Sequence, residues 1–168
     1  RLPGGRPTIA DADAILGTIE AILERHRTTL WEAGRAGAPP TGAIVTYLSI
    51  EGAGVFARDI TQIDRFIARG MRFVGPVHAA DNELATSATG KRPGTGLSPL
   101  GKAFCQRVYA AGALVDVSHM SDEAFADLAE IAGAWSAPIV ATHSNARAVA
   151  DHPRNLTDAQ LEAIARSG

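Results

Sequence analysis

The chain has 168 residues, enough for one domain with its own hydrophobic core. Its 16 Lys and Arg nearly balance 18 Asp and Glu, so it lacks the basic excess typical of nucleic-acid binding. No apolar run is long enough to span a membrane. We therefore expect no nucleic-acid partner and no membrane segment. Cys105 is the only cysteine, which excludes an intrachain disulfide, and we expect it to be buried in a helix.

Hydrophobic periodicity predicts helices that alternate with strands. A first helix is expected over 11–33, with His26 packed on its apolar stripe. Short apolar runs predict buried strands at 43–50, 71–77, 113–117 and 137–142. Further helices are predicted at 59–69, from Pro99 to Gly112, at 122–135 and at 158–166, with N-caps at Asp59, Ser98, Ser121 and Thr157.

The stretch 79–97 is polar and aperiodic and is predicted to be a long loop. Strands that alternate with helices favour an α/β fold with a parallel sheet and helical crossovers. An open doubly wound sheet and part of a (βα)₈ barrel both fit this order, and periodicity does not distinguish them.

The ends of the predicted strands carry the residues most relevant to function. In order along the chain they run into Glu51, His78, His119 and His143. Because the carboxyl ends of parallel strands lie on one face, we expect these side chains at one rim. A carboxylate and neutral imidazoles are ligands that Zn²⁺ accepts. A single strand-end His commonly just bonds a loop, and Glu51 could cap the next helix, but together the four predict a metal or acid–base site.

These residues lie in segments that resemble a known family. The segments are Ser49–Ala53, Gly70–Phe73 with His78 and Asn82, Gly96–Gly101, Val115–Ser121, Thr142–Arg147 and His152–Asp158. In series, from about residue 43 to the C-terminus, they resemble the membrane dipeptidase (renal dipeptidase) family of zinc metallopeptidases, peptidase family M19. The resemblance implies a (βα)₈ TIM-like barrel. We therefore expect residues 1–168 to form a single partial domain of about four βα units, lacking the first and last strands.

The resemblance also implies a function and a role for each site residue. It implies hydrolysis of dipeptides by a metal-bound hydroxide at two zinc ions, with Glu51 as the bridging ligand and His119 and His143 completing the second zinc site. It assigns His78 a catalytic role beside the reacting carbonyl. Arg154 is expected to bind the substrate's C-terminal carboxylate, and Asn82 is included with His78 among the substrate-binding residues.

The sequence departs from the family pattern in ways that bear on activity. The His-x-Asp pair that holds the family's first zinc is absent, and the aspartate of the last barrel strand would lie beyond Gly168. Pro76-Val77 also replaces the usual Leu-Thr before His78. We therefore expect this chain alone to bind about one zinc ion and to lack dipeptidase activity.

Two alternatives to a dipeptidase stay open. One is a non-catalytic barrel remnant that binds at most one metal. The other is a different amidohydrolase-type hydrolase that acts on a lactone or an ester. A homodimer is also left open as a state of assembly.

Overall fold

The computed structural model describes residues 7–92 and 94–168, which form two units. The first unit comprises the described residues up to Leu48, and the second comprises Ser49–Gly168. The first unit contains α1 (Ile9–Arg25), β1 (Leu30–Glu32) and β2 (Ile44–Thr46). Thr8 and Asp11 form a capping box at the start of α1. β1 and β2 pair in parallel, with Leu30 opposite Ile44.

The predicted first helix is too long at its C-terminal end. α1 ends at Arg25, and residues 30–32 of the predicted helix form β1 instead. The N–H groups of both Thr29 and Leu30 donate to the carbonyl of His26, which closes a turn. The expectation that His26 is packed is also wrong, because its side chain is exposed. Periodicity did not identify the buried face of this helix, since Leu16 is buried whereas Ile15 of the predicted stripe is 56% exposed.

The predicted strand 43–50 is two strands. Residues 44–46 form β2, whereas Leu48–Glu51 form β3, which belongs to a different sheet. Tyr47 lies between them and is exposed. A continuous apolar run identifies extended backbone but not the partners of each strand, so this division could not be predicted from the sequence.

The second unit contains the three-stranded sheet β3-β4-β5 and the remaining helices. Its further elements are two 3₁₀ helices (Ala53–Phe56 and Ile60–Gln62), α2 (Ile63–Ala68), β4 (Met71–Gly75), α3 (Pro99–Ala110), β5 (Leu114–Val115), α4 (Asp122–Trp135) and α5 (Asp158–Ser167). β4 and β5 are parallel, with Phe73 opposite Leu114. The α/β class with parallel strands is thus confirmed.

The core of the second unit is built around three fully buried phenylalanines. The ring of Phe56 meets Phe66 edge-on at 5.1 Å between centroids and stacks with Phe104 at 6.1 Å. Cys105 is buried in α3, as predicted, and burial raises the pKa of its thiol to about 12. The thiol therefore remains protonated and unreactive at neutral pH.

Several helix boundaries follow the predicted caps. The hydroxyls of Ser98, Ser121 and Thr157 accept hydrogen bonds from backbone N–H groups at the starts of α3, α4 and α5. Asp59 is also an N-cap, but of the 3₁₀ helix that precedes α2, where its carboxylate accepts from the Thr61 N–H and the Gln62 side-chain amide. The described residues of 79–97 form neither helix nor strand, as predicted.

The predicted strand 137–142 is reduced to one β-bridge. Val140 pairs in parallel with Asp116, and its backbone bonds to Val115 and Val117. The next N–H that would continue the ladder, that of Thr142, instead donates to the Asp116 carboxylate at 3.2 Å. A side chain therefore ends the backbone pairing at this edge.

In the part of the chain that the structure describes, no helix has both the length and the apolar character that a membrane span requires.

Candidate functional site

The second unit gathers four predicted residues at one end of its strands. Glu51 is the last residue of β3, and His78 lies three residues beyond β4. His119 follows β5, and His143 follows the bridge at Val140. Their side chains meet because the carboxyl ends of neighbouring parallel strands lie side by side at the same end of the sheet.

The donor atoms of these side chains are close together. Glu51 Oε1 lies 2.5 Å from His119 Nε2 and 2.9 Å from His143 Nε2. The two Nε2 atoms are 3.0 Å apart. The second oxygen, Glu51 Oε2, is 3.7 Å from His78 Nε2, and the His78 ring meets His119 edge-on. One carboxylate thus faces three imidazoles.

The chemistry of this donor set fits a metal ion. Ligand atoms of Glu51, His78 and His119 all lie within 4.8 Å of one another, and His143 Nε2 is within 3.0 Å of both Glu51 and His119. His119 Nδ1 is buried and has no hydrogen-bond partner among the described residues, so Nε2 is the nitrogen of this ring that an ion can reach. Imidazole nitrogens with a carboxylate oxygen are the ligands that zinc accepts.

His119 is the most enclosed member of the cluster, with a side chain only 11% exposed. Burial lowers the pKa of its imidazole, and the positive charge of Arg154 lowers it further, against the opposing effect of Glu51. The ring is therefore held neutral, which is the protonation state that a metal ligand requires.

Arg154 reaches the same site from the loop that follows His143. Its Nη2 lies 3.3 Å from His119 Nε2. The same nitrogen donates a hydrogen bond to the carbonyl oxygen of His143 at 3.4 Å. Burial lowers the pKa of the guanidinium, although the group remains a cation. A fixed cation beside the cluster provides a binding position for a carboxylate.

Asn82 is placed differently from the other predicted site residues. Its amide nitrogen donates to the carbonyl of Pro76 at 2.7 Å, and its Oδ1 accepts from the N–H groups of Leu84 and Ala85. Both ends of the amide are therefore engaged by the backbone on either side of His78. The structure thus places Asn82 as a support for this loop, and its assignment to substrate remains a prediction.

Gly52 lets the His78 loop approach β3 closely. Its φ of 84° lies in the left-handed region, and a Cβ built on it would be 3.2 Å from the Cβ of His78. Glycine at this position therefore permits both the left-handed backbone and the close approach of the His78 loop beside Glu51.

A group of residues beneath the cluster was not identified from the sequence. Asp116 Oδ2 accepts from the hydroxyl of Thr142 at 2.5 Å, and Asp116 Oδ1 accepts from the hydroxyl of Ser118 at 2.6 Å. Thr142 Oγ1 lies 2.8 Å from His143 Nδ1, and Ser118 Oγ accepts from the His143 N–H. An acidic residue inside the otherwise apolar run 113–117 was the signal that could have identified this network.

A second missed group anchors the loop that carries Arg154. Arg147 makes two 2.8 Å hydrogen bonds to the carboxylate of Asp122, at the start of α4. Its remaining donors reach the carbonyls of Pro153 and Asn155, the residues on either side of Arg154. The guanidinium of Arg147 therefore fixes both flanks of Arg154 to a helix.

The chain is similar in sequence to known proteins. The family model of membrane dipeptidase (peptidase family M19) matches residues 21–168. An uncharacterized protein in the pqqA 5′ region of Klebsiella pneumoniae is 42% identical over 124 residues, covering 71% of this chain and 45% of that protein.

Solved structures are similar in fold. The probable dipeptidase PvdM from Pseudomonas aeruginosa superposes with a TM-score of 0.78 at 27% identity, covering 99% of this chain and 45% of that one. A metallopeptidase from Rhodobacter sphaeroides, liganded with a phosphinate mimic of the dipeptide L-Ala-D-Ala, gives 0.73 at 27% identity, covering 95% and 46%. The chain thus spans about half the length of these relatives.

Proposed function

The chain belongs to the membrane dipeptidase family, peptidase family M19, and we propose that its strand-end cluster is a zinc site of a dipeptidase. The observation that carries this proposal is the convergence of Glu51 Oε1, His119 Nε2 and His143 Nε2 within 3.0 Å of one another. Family membership supports a metal-dependent dipeptidase, and the choice of zinc follows from the imidazole and carboxylate ligands.

We assign Glu51, His119 and His143 as the ligands in preference to a set that includes His78. His78 Nε2 is 3.7 Å from the nearer carboxylate oxygen, whereas the Nε2 atoms of His119 and His143 lie 2.5 and 2.9 Å from Glu51 Oε1. The longer separation and the 56% exposure of its side chain leave His78 free to contact a substrate. Zinc held by Glu51, His119 and His143 would polarise the peptide carbonyl and lower the pKa of the attacking water.

The residues around the ligands have complementary tasks in dipeptide hydrolysis. Water adds to the peptide carbonyl carbon, the C–N bond breaks, and the leaving amine takes up a proton. We propose that His78 hydrogen-bonds to the reacting carbonyl and that Arg154 pairs with the free C-terminal carboxylate one residue away. Asn82 contributes to substrate binding by fixing the loop that presents His78.

The barrel and the activity of the isolated chain are parts of the same proposal. We infer that the parallel strands of the second unit are part of a (βα)₈ barrel, on the support of the dipeptidase structures that superpose on this chain. Because the sequence contains no His-x-Asp pair for a first zinc, we expect the 168-residue chain alone to hydrolyse dipeptides slowly or not at all.

Arg154 provides the test that separates a dipeptidase from other hydrolases. In a chain extended to the length of its relatives, Arg154→Lys should retain zinc but lose about 2–4 kcal/mol in kcat/KM, mainly through KM, because a lysine cannot form the two-pronged carboxylate contact. A C-terminally amidated dipeptide should be a poor substrate for the wild type, and its kcat/KM should hardly change with the substitution.

The matched control is Arg166→Lys, which alters an exposed arginine on α5 and should leave both substrates unaffected. An equal loss for free-acid and amidated dipeptides in Arg154→Lys would contradict the assignment. Turnover of lactones or esters in place of dipeptides would favour the alternative amidohydrolase function.

A further inference from the structure

The imidazole of His143 lies between two hydrogen-bonding groups. On one side its Nε2 faces Glu51 Oε1 at 2.9 Å, and on the other its Nδ1 faces Thr142 Oγ1 at 2.8 Å. A neutral imidazole carries one proton, so the side on which the proton sits determines which nitrogen can bind a metal.

The Thr142 hydroxyl has one proton, and the structure indicates where that proton goes. Thr142 Oγ1 lies 2.5 Å from Asp116 Oδ2, the short distance expected when a hydroxyl donates to a carboxylate. An ionised carboxylate only accepts, so Thr142 must be the donor in this bond. The hydroxyl oxygen is then left with lone pairs toward His143, and it accepts a hydrogen bond from the Nδ1–H group.

Asp116 is itself held in place to receive this bond. Its other oxygen accepts from the N–H and the hydroxyl of Ser118 at 3.0 and 2.6 Å, and from the N–H of Thr142 at 3.2 Å. The carboxylate therefore spans the two segments that lead to His119 and His143. Its position is fixed by backbone groups and does not depend on a ligand in the site.

From this geometry we propose that Asp116 and Thr142 are positioning residues that keep the proton of His143 on Nδ1, so that Nε2 always presents a lone pair to the metal. The inference rests on the proposed metal site, whose ligands do not include Asp116 or Thr142. The opposite arrangement, with the proton on Nε2, would set the Nδ1 lone pair against the lone pairs of Thr142 Oγ1 at 2.8 Å. Glu51 Oε1, 2.9 Å from Nε2, is the acceptor that favours this opposite arrangement, and the bond that Thr142 donates to Asp116 opposes it.

The direct test is the tautomer of His143 in the metal-free protein. Long-range ¹H–¹⁵N spectra distinguish a protonated from an unprotonated ring nitrogen, and a His143→Gln variant assigns the signals. At a pH where the ring is neutral, the wild type should show a protonated Nδ1 and an unprotonated Nε2. Thr142→Ser should preserve this pattern, whereas Thr142→Val should shift the proton toward Nε2.

Zinc affinity gives a second, independent readout. Thr142→Val should weaken zinc binding about 10–100-fold, the usual effect of removing a partner that orients a ligand, and Thr142→Ser should restore it. Thr61→Val is the matched control, because Thr61 makes the same kind of bond to Asp59 at 2.6 Å away from the site, and it should bind zinc like the wild type.

Each result decides between the two proposals. A wild-type neutral ring protonated on Nε2, or a Thr142→Val variant with unchanged tautomer and affinity, would overturn the positioning role. If Thr142→Val does not fold, the wild-type and Thr142→Ser tautomers still decide the question. A wild type that keeps the proton on Nδ1 but binds no zinc would refute the proposed metal site and leave the positioning role standing.

Discussion

Single residues at the strand ends set the geometry of the site. Glu51 ends β3, and Gly52 then turns the chain with a φ of 84° so that the His78 loop can pass beside it. A side chain on residue 52 would be strained by the backbone conformation and would also press on the Cβ of His78 at 3.2 Å. The glycine therefore links the ligand on β3 to the histidine that follows β4.

Gly52→Ala should destabilise the protein and also displace His78. The left-handed backbone costs an alanine about 1–2 kcal/mol, and the contact with His78 adds to this cost. Urea unfolding gives the change in the free energy of unfolding, and the imidazole signals of His78 report its displacement.

Gly112→Ala is the matched control for this variant. Gly112 has a similar φ of 81°, but a Cβ there meets nothing within 4 Å. Gly112→Ala should therefore show the backbone cost without any change at His78. Equal destabilisation by the two variants, with the His78 signals unmoved in both, would show that the close contact has no consequence.

At the scale of elements, Arg147 attaches the Arg154 loop to α4. Two hydrogen bonds from its guanidinium hold the pKa of the Asp122 carboxyl below its usual value. Partial burial of the carboxyl opposes this shift, and a hydrogen bond from the Gln160 amide adds to it. A carboxyl whose pKa is lowered on folding stabilises the folded state above its unfolded pKa, and this contribution is lost as the pH falls through the folded pKa.

Removing the Asp122 charge should therefore matter at neutral pH and not in acid. Asp122→Asn should lower the melting temperature at pH 7. The difference from wild type should shrink as the pH falls below about 4, the usual carboxyl pKa, and through the lowered pKa of the folded state. Melting curves between pH 2 and 7 measure this.

Glu162→Gln supplies the comparison, because it removes an exposed pair with Arg166 on α5, and exposed pairs contribute little to stability. A melting difference for Asp122→Asn that stays constant from neutral pH into acid would contradict the role of the Asp122 charge.

Helices of this fold were more predictable than strands, for a physical reason. α3, α4 and α5 begin at the predicted N-caps because capping is a local interaction between residues three apart in sequence. The strands are shorter than predicted because their ends depend on distant partners. Asp116, for example, takes the N–H of Thr142 and so ends the pairing at Val140.

At the scale of the whole molecule, the positions of the site residues followed from the α/β order, whereas their supports did not. Parallel strands place their carboxyl ends together, which is why Glu51, His119 and His143 could be grouped from sequence. The bonds of Thr142 to Asp116 and of Arg147 to Asp122 join residues 25 or more positions apart and have no periodic signature. The chain spans about half the length of its relatives.

The measurement that tests the central claim most directly is zinc titration of the purified chain against a competing chelator. The wild type should bind about one zinc ion per chain, and a Glu51→Ala/His119→Ala/His143→Ala variant should bind none at this site. A Glu24→Ala/His26→Ala variant, which removes an exposed carboxylate and imidazole from α1 and the residue that follows it, should bind like the wild type. Equal zinc binding by the wild type and the triple variant would contradict the assignment of these three residues as the metal site.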